Sequence, residues 1–299
     1  MTEIERVGVV GCGLMGAGMA EVCARADVPV TIVERDTEAA RAGLLRITRS
    51  LDRAVAHGRL DAERREAAAG LITVVDQIEA LHDHDLVIEA VPEDESLKLD
   101  VFNRLDSVIT GDHTILATNT SSIPVIRLAT ATTRPDRVVG VHFFNPVPVL
   151  RLVELVPSLL TSPTTTARAE DFVTGTLGKE VVRTRDKAGF IVNALLVPYL
   201  LAAVRMLESG SATAEDIDRG MVLGCAHPLG PLALTDLIGL DTTRAIAESL
   251  YAEFREPQYS PPPLLSRMVE AGLLGRKSGR GFHVYEEQQR EAVTPARPR

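Results

Sequence analysis

Short apolar runs and longer amphipathic stretches alternate through the first half of the chain. Arg6–Val10 is a short run rich in β-branched residues, and Val28–Val33, Leu86–Ala90, Thr114–Ala117 and Val138–Phe143 repeat the pattern. Runs of this length bounded by glycine, proline and polar clusters predict buried strands. Between them lie a small-residue stretch that follows Gly16 and runs to Arg25, and an amphipathic stretch from Glu38 to His57 with Leu44, Leu45, Ile47, Leu51 and Val55 as its apolar positions. Both predict helices. Strands separated by helices imply βαβ units and a mostly parallel sheet.

The pattern changes near residue 186. Gly189 opens a long apolar helical stretch, and Thr213-Ala214-Glu215-Asp216 resembles a capping box before another helix. Pro228 and Pro231 bracket a turn, Leu232–Phe254 reads as helix with a break at Gly239, and Pro261-Pro262-Pro263 precedes a further short helix. The expectation is therefore an α/β domain over 1–186 and an all-α domain over 187–299, with Glu286–Arg299 as a polar, frayed tail. The length of 299 residues fits two domains at roughly 100–200 residues each.

Composition narrows the function classes. Hydrophobic residues make up 45% and charged residues 24%, which excludes global disorder. The net charge of −9 and the lack of basic runs argue against nucleic acid and anionic membrane surfaces as partners. The most apolar long stretch, Phe190–Met206, is interrupted by Asn193, Pro198 and Arg205 and falls short of the ~20 residues that a membrane span needs. Cys12, Cys23 and Cys225 are too few and too scattered for a disulfide framework or a zinc site. With a charged N-terminus unlike a secretory signal, they point to the reducing cytoplasm.

Gly11-Cys12-Gly13-Leu14-Met15-Gly16 matches G-x-G-x-x-G and sits between a predicted strand and a predicted helix. In a Rossmann-like dinucleotide-binding domain the first glycine makes the tight turn, the second admits a pyrophosphate, and the third lets helix and strand pack closely. Glu34 ends the next strand, 18 residues past Gly16. A carboxylate there accepts the adenosine ribose hydroxyls and repels a 2′-phosphate, which favours NAD; the neighbouring Arg35 points the other way.

Hydride transfer from an alcohol needs a base. His142 lies at the C-terminal end of a predicted buried strand, where open α/β sheets bind ligands, although a satisfied core histidine would occupy the same position. Glu154 interrupts the apolar run Leu152–Val156 and is either its buried partner or a water-facing residue of an edge strand. Asn119-Thr120-Ser121-Ser122 follows another strand and offers either ligand contacts or a turn and helix cap. Asn193, inside an apolar helix, requires a partner, be it a substrate oxygen or a backbone carbonyl. His82 and His84 sit in an acidic loop and read as solvated residues rather than metal ligands, and His227 reads as structural.

The stretches HFFNPVPV (142–149), ATNTSS (117–122), PLALTDLIGLDT (231–242) and GRKSGRGF (275–282), with Val7–Gly18, Leu86–Pro92 and Gly189–Leu200, resemble the L-3-hydroxyacyl-CoA dehydrogenase family. Within it they match the single-function branch that acts on 3-hydroxybutyryl-CoA, and they run over nearly the whole chain. The resemblance implies a Rossmann-like domain followed by a helical domain through which the protein forms a homodimer. It implies NAD as cofactor, an acyl-CoA thioester as substrate, no metal, and a place in fatty-acid and lipid metabolism.

Carried over by position, His142 is the catalytic histidine and Glu154 its paired glutamate, while Ser121 and Asn193 contact the substrate's 3-oxygen region. By the same resemblance, Gly11, Gly13, Leu14, Met15 and Gly16 match the pyrophosphate loop, and Glu34, Glu93, Lys98, Ser121, Asn145 and Lys277 fall on positions that contact the dinucleotide in family members. Glu34 stands where the family usually has aspartate. Ser50 matches a CoA-contacting serine, but His57 replaces a lysine near CoA. Arg46, Arg49 and Arg53 recur at helical spacing and either supply the lost charge or form a solvated face. Three readings follow: a 3-hydroxyacyl-CoA dehydrogenase, a dehydrogenase of the same scaffold using a carrier-bound hydroxyacyl group or a sugar acid, and an idle NAD-binding sensor. A fused hydratase is not expected, for lack of room beside two domains.

Overall fold

The computed structural model describes residues 3–286, and the chain divides into two compact units after Phe190. The first contains one eight-stranded sheet: β1 (Val7–Val10), β2 (Val30–Val33), β3 (Ile72–Val75), β4 (Leu86–Glu89), β5 (Ile115–Thr118), β6 (Val138–Phe143), β7 (Leu152–Pro157) and β8 (Glu180–Arg183). Their spatial order is β3-β2-β1-β4-β5-β6-β7-β8. Strands β1 to β6 pair in parallel, β7 runs antiparallel to β6, and β8 pairs parallel with β7.

The central strands β1, β4, β5 and β6 are buried along their whole length. That is why they read as unbroken apolar runs rather than as alternating ones. The helices of this unit are α1 (Leu14–Arg25), α2 (Thr37–Ala56), α3 (Ala62–Gly70), α4 (Glu95–Val108), α5 (Val125–Thr130) and α6 (Pro163–Asp171). Two apolar clusters include residues of the sheet. One contains Val9, Met19, Ile32, Ile47 and Leu51; the other contains Val87, Phe102, Leu105, Leu116 and Leu128. Asp36, Asp61, Asp94 and Ser162 each cap a helix by accepting a first-turn N–H.

The second unit begins at Ile191 and is helical: α7 (Val192–Glu208), α8 (Ala214–Cys225), α9 (Pro231–Ile238), α10 (Leu240–Phe254) and α11 (Pro263–Glu270). Thr213 caps α8 by accepting from the N–H of Asp216, as its sequence suggested. Gly239, with φ 103°, separates α9 from α10. Two carboxylates tie the unit together. Asp218 accepts the N–H groups of Leu232 and Ala233 and lies 2.7 Å from His283 Nε2. Buried Asp236 accepts the N–H groups of Phe282 and His283 and the hydroxyl of Tyr285. His227 meets the Tyr199 hydroxyl at 3.1 Å.

The sequence reading needs revision in places. Leu44 and Leu45 are 40% and 50% exposed, so the buried face of α2 is Ile47 and Leu51 with Gly43. His84 is buried, so only His82 of that pair is a surface residue. Strands β3 and β8 are additions to the predicted set. The expected frayed tail lies outside the described residues beyond Glu286. Among the described residues no helix is long and apolar enough to cross a membrane, and no three His, Cys, Asp or Glu side chains are grouped to hold a metal.

Candidate active site

Because β1, β2, β4, β5 and β6 are parallel, their C-terminal ends share one edge of the sheet. Most of the residues singled out in the first unit lie at those ends: the glycine loop after β1, Glu34 after β2, Glu93 after β4, Ser121 after β5, and His142 and Asn145 at and beyond the end of β6; Lys98 lies on α4, and Glu154 on the antiparallel β7. The order reverses between β1 and β4, which is where open α/β sheets bind ligands.

The glycine loop is built for close approach. A Cβ at Gly16 would overlap the carbonyl oxygen of Gly11, so the third glycine is fixed by packing. A Cβ at Gly13 would meet no protein atom within 4 Å, so the second glycine faces open space. Gly13 caps α1 without a side chain, leaving first-turn N–H groups free for an anion. Glu34 is held at the loop: Oε2 accepts the Cys12 N–H at 2.7 Å and Oε1 the Arg35 N–H at 2.9 Å. The exposed Arg35 side chain pairs with Asp36. Arg46 is more than a solvated residue, since Nη1 donates to the Cys12 carbonyl at 2.8 Å. These residues fit a dinucleotide: an open cradle, free amides and a carboxylate fixed just past β2.

Strand pairing creates the His142–Glu154 couple. The two residues are direct partners in the β6–β7 register, so their side chains emerge on one face. His142 Nδ1 lies 2.8 Å from Glu154 Oε2, and both residues are buried. With β8 covering β7, Glu154 is not an edge residue, which removes the water-facing alternative. The rings of Phe144 and Phe190 pack edge-on against the imidazole, at 4.6 and 5.4 Å between centroids. A carboxylate that accepts from Nδ1 fixes the tautomer and leaves Nε2 to exchange a proton.

Ser121 belongs to a loop organised by Glu93. Glu93 Oε1 accepts from the Thr120 hydroxyl at 2.6 Å, the Ser121 N–H at 2.9 Å and the Ser122 hydroxyl at 2.8 Å. Burial pushes the Glu93 carboxyl up, but Lys98 and these donors outweigh it and hold the group below the usual range. Lys98 is 1% exposed, with its ammonium 2.6 Å from Glu89 and 3.3 Å from Glu93. Glu89 also accepts from the Thr118 hydroxyl and the Val91 N–H. The Asn119 side chain accepts the Phe143 N–H at 2.8 Å, tying the end of β5 to the end of β6.

The remaining positions are more scattered. Ser50, Arg46 and Arg53 line a cleft with Glu21 and the Asn145–Pro148 segment, whereas His57 is exposed at the end of α2, its Nδ1 2.7 Å from the Arg53 carbonyl. Asn193 and Lys277 belong to the second unit. Asn193 is in the first turn of α7, and Lys277 pairs with Asp241 at 2.6 Å. Reading the sequence did not single out Glu89, Phe144 or Phe190. Glu89 could have been found as a charged residue ending an apolar strand run, which demands a buried partner.

A dinucleotide cradle, with a histidine–carboxylate pair at the same sheet edge, defines an NAD(P)-linked dehydrogenase of the doubly wound α/β class. The family comparisons resolve the class further. Residues 6–187 match the NAD-binding domain of 3-hydroxyacyl-CoA dehydrogenase and residues 189–285 match its C-terminal domain, so the chain belongs to the 3-hydroxyacyl-CoA dehydrogenase family. It is 56% identical over 282 residues to a 3-hydroxybutyryl-CoA dehydrogenase of Mycobacterium tuberculosis, covering 94% of this chain and 99% of that protein. The crystal structure of M. tuberculosis FadB2 superposes with a TM-score of 0.94 at 55% identity, covering 95% of this chain and all of that one. The (S)-3-hydroxybutyryl-CoA dehydrogenase PaaH1 of Ralstonia eutropha is similar at a TM-score of 0.89 and 44% identity, with 95% and 100% covered.

Proposed function

We propose that this chain catalyses the reversible NAD-dependent oxidation of the 3-hydroxyl of a (3S)-3-hydroxyacyl-CoA, with 3-hydroxybutyryl-CoA as substrate. The observation that carries the reading is the buried 2.8 Å contact between His142 and Glu154 at the sheet edge that also holds the dinucleotide cradle. The bound cofactor supplies the hydride acceptor. His142 takes the hydroxyl proton at Nε2 in the oxidative direction and returns it in the reductive one. Glu154 holds the imidazole in the required tautomer and places a negative charge opposite the cation that forms. Phe144 and Phe190 restrict the ring and keep water from it.

Ser121 binds the 3-oxygen from a loop that Glu93 fixes, and Lys98 acts through Glu93. Gly11–Gly16 would hold the pyrophosphate, Glu34 the adenosine ribose, and Asn145 would contact the cofactor. Glu34 favours NAD over NADP, and the pairing of Arg35 with Asp36 supports that choice. Asn193 and Lys277 are assigned ligand contacts on the family resemblance, and Ser50 a contact with CoA. Exposed Ile191, Leu195 and Met206 of the α7 segment, with Leu223 of α8, support a homodimer through the helical unit. Three free cysteines support a cytoplasmic setting.

The test is NADH absorbance with acetoacetyl-CoA, acetoacetate and an acetoacetyl carrier protein as substrates, each repeated with NADPH. Rapid oxidation of NADH by the CoA thioester alone is expected. A preference for the carrier thioester or the free acid would replace the substrate assignment. NADH binding without turnover on any of them would leave an idle sensor.

A further inference from the structure

Lys179 lies in the turn before β8 and belongs to none of the groups described above. The residue is buried, and its Nζ donates to two carbonyl oxygens of one loop, Val147 at 2.5 Å and Leu150 at 2.7 Å. That loop joins β6 to β7, so it connects the strand of His142 to the strand of Glu154 and carries Asn145. Val147 packs onto α1 at Gly18, where a Cβ would stand 2.8 Å from the valine's own. Two further bonds, from the N–H groups of Val149 and Leu150 to the Pro146 carbonyl, make the loop a compact turn. A buried cation is costly to keep unless its donors are used. Here the donors are used on the backbone that connects the strands of His142 and Glu154 and carries Asn145.

We propose that Lys179 is a positioning residue for the dehydrogenase reaction, its ammonium clamping the Asn145–Leu150 loop. The inference rests on the function proposed above. Burial presses the ammonium down to about 8, with Arg25 of α1 adding to the effect and Glu21 and Cys23 of the same helix opposing it. The clamp is therefore held at a cost, which a purely space-filling methionine would avoid.

The test compares Lys179→Met, Lys179→Gln and Lys179→Arg with wild type in kcat, NADH dissociation constant by fluorescence, and melting temperature. In K179M the freed loop lowers kcat about 10- to 100-fold, in line with the cost of slight misplacement, and weakens NADH binding several-fold. K179R, which keeps a charge and its donors, recovers most of both. If K179M does not fold, K179Q decides by the same criteria, with at least a fivefold loss of kcat expected. A lysine that only stabilises the fold would lower the melting temperature and leave kcat and NADH affinity per folded enzyme within twofold of wild type, and that result overturns the proposal. Wild type that reduces no 3-oxoacyl thioester refutes the proposed function instead, and the NADH affinities of the variants then still decide the clamp.

Discussion

Glu154→Gln keeps the shape of the buried side chain and removes its charge, so it isolates what the carboxylate does for His142. The residue is fully buried and 2.8 Å from Nδ1. A hydrogen bond to a charged group is worth about 1.5–3 kcal/mol, against about 0.5–1.5 for a neutral one. Losing that difference as the imidazole becomes cationic slows the step about tenfold. The tautomer adds more. The glutamine can turn its NH₂ toward Nδ1, which leaves the ring proton on Nε2, where the substrate proton must go. An equivalent change in the serine-protease triad costs about 10⁴ in kcat. Together these give a loss of about 10²–10⁴ in kcat for 3-hydroxybutyryl-CoA oxidation by NAD, or about 3–5 kcal/mol. NADH affinity, read by fluorescence, stays within twofold because Glu154 is fully buried and out of reach of a bound ligand. A folded E154Q enzyme within tenfold of wild-type kcat would refute the reasoning that the carboxylate sets the state of His142.

Gly13→Ala and Gly16→Ala separate ligand room from packing: G13A keeps its melting temperature and binds NADH at least tenfold more weakly, whereas G16A, which overlaps the Gly11 carbonyl, loses thermal stability. Lys98→Met leaves Glu89 buried without its cation and lowers stability by about 3–5 kcal/mol in denaturant titration. In the helical unit, the Asp218 hydrogen bond raises His283 above its ordinary value of about 6.5. A raised folded-state pKa gives stability that is fully present below about pH 6.5 and lost as pH rises through the folded value. Wild type should therefore exceed His283→Gln in stability by about 1 kcal/mol or less in mild acid, with the ionic part of that advantage gone at alkaline pH, as melting curves across pH would show.

The central strands were legible because parallel strands buried on both faces leave unbroken apolar runs, as in Val138–Phe143, whose limits the pattern matched. The two outermost strands were not. β3 (Ile72-Thr73-Val74-Val75) carries a β-branched run but is only partly buried, and β8 flanks two valines with Glu180 and Arg183, so it shows no apolar run. Missing β8 is what left Glu154 open to an edge-strand reading, and the added strand closes that question. The residues His142 and Glu154 could be picked out individually, but their contact follows from antiparallel register, which a hydrophobic pattern does not encode. The Glu89–Lys98–Glu93 network was only partly visible: resemblance named Glu93 and Lys98 as cofactor contacts, and the geometry shows Lys98 occupied by protein carboxylates. Lys179 had no sequence signal, since nothing in its neighbours foretells that its ammonium reaches carbonyls some 30 residues earlier.

The most direct test of the account is single-turnover oxidation of bound NADH by acetoacetyl-CoA in His142→Gln, measured beside the NADH dissociation constant. The account predicts a step slower by about 10²–10⁴, the usual worth of a positioned general acid–base, with NADH bound as in wild type. A near-normal rate in the folded variant would contradict the assignment of His142 and, with it, the reading of the whole sheet edge.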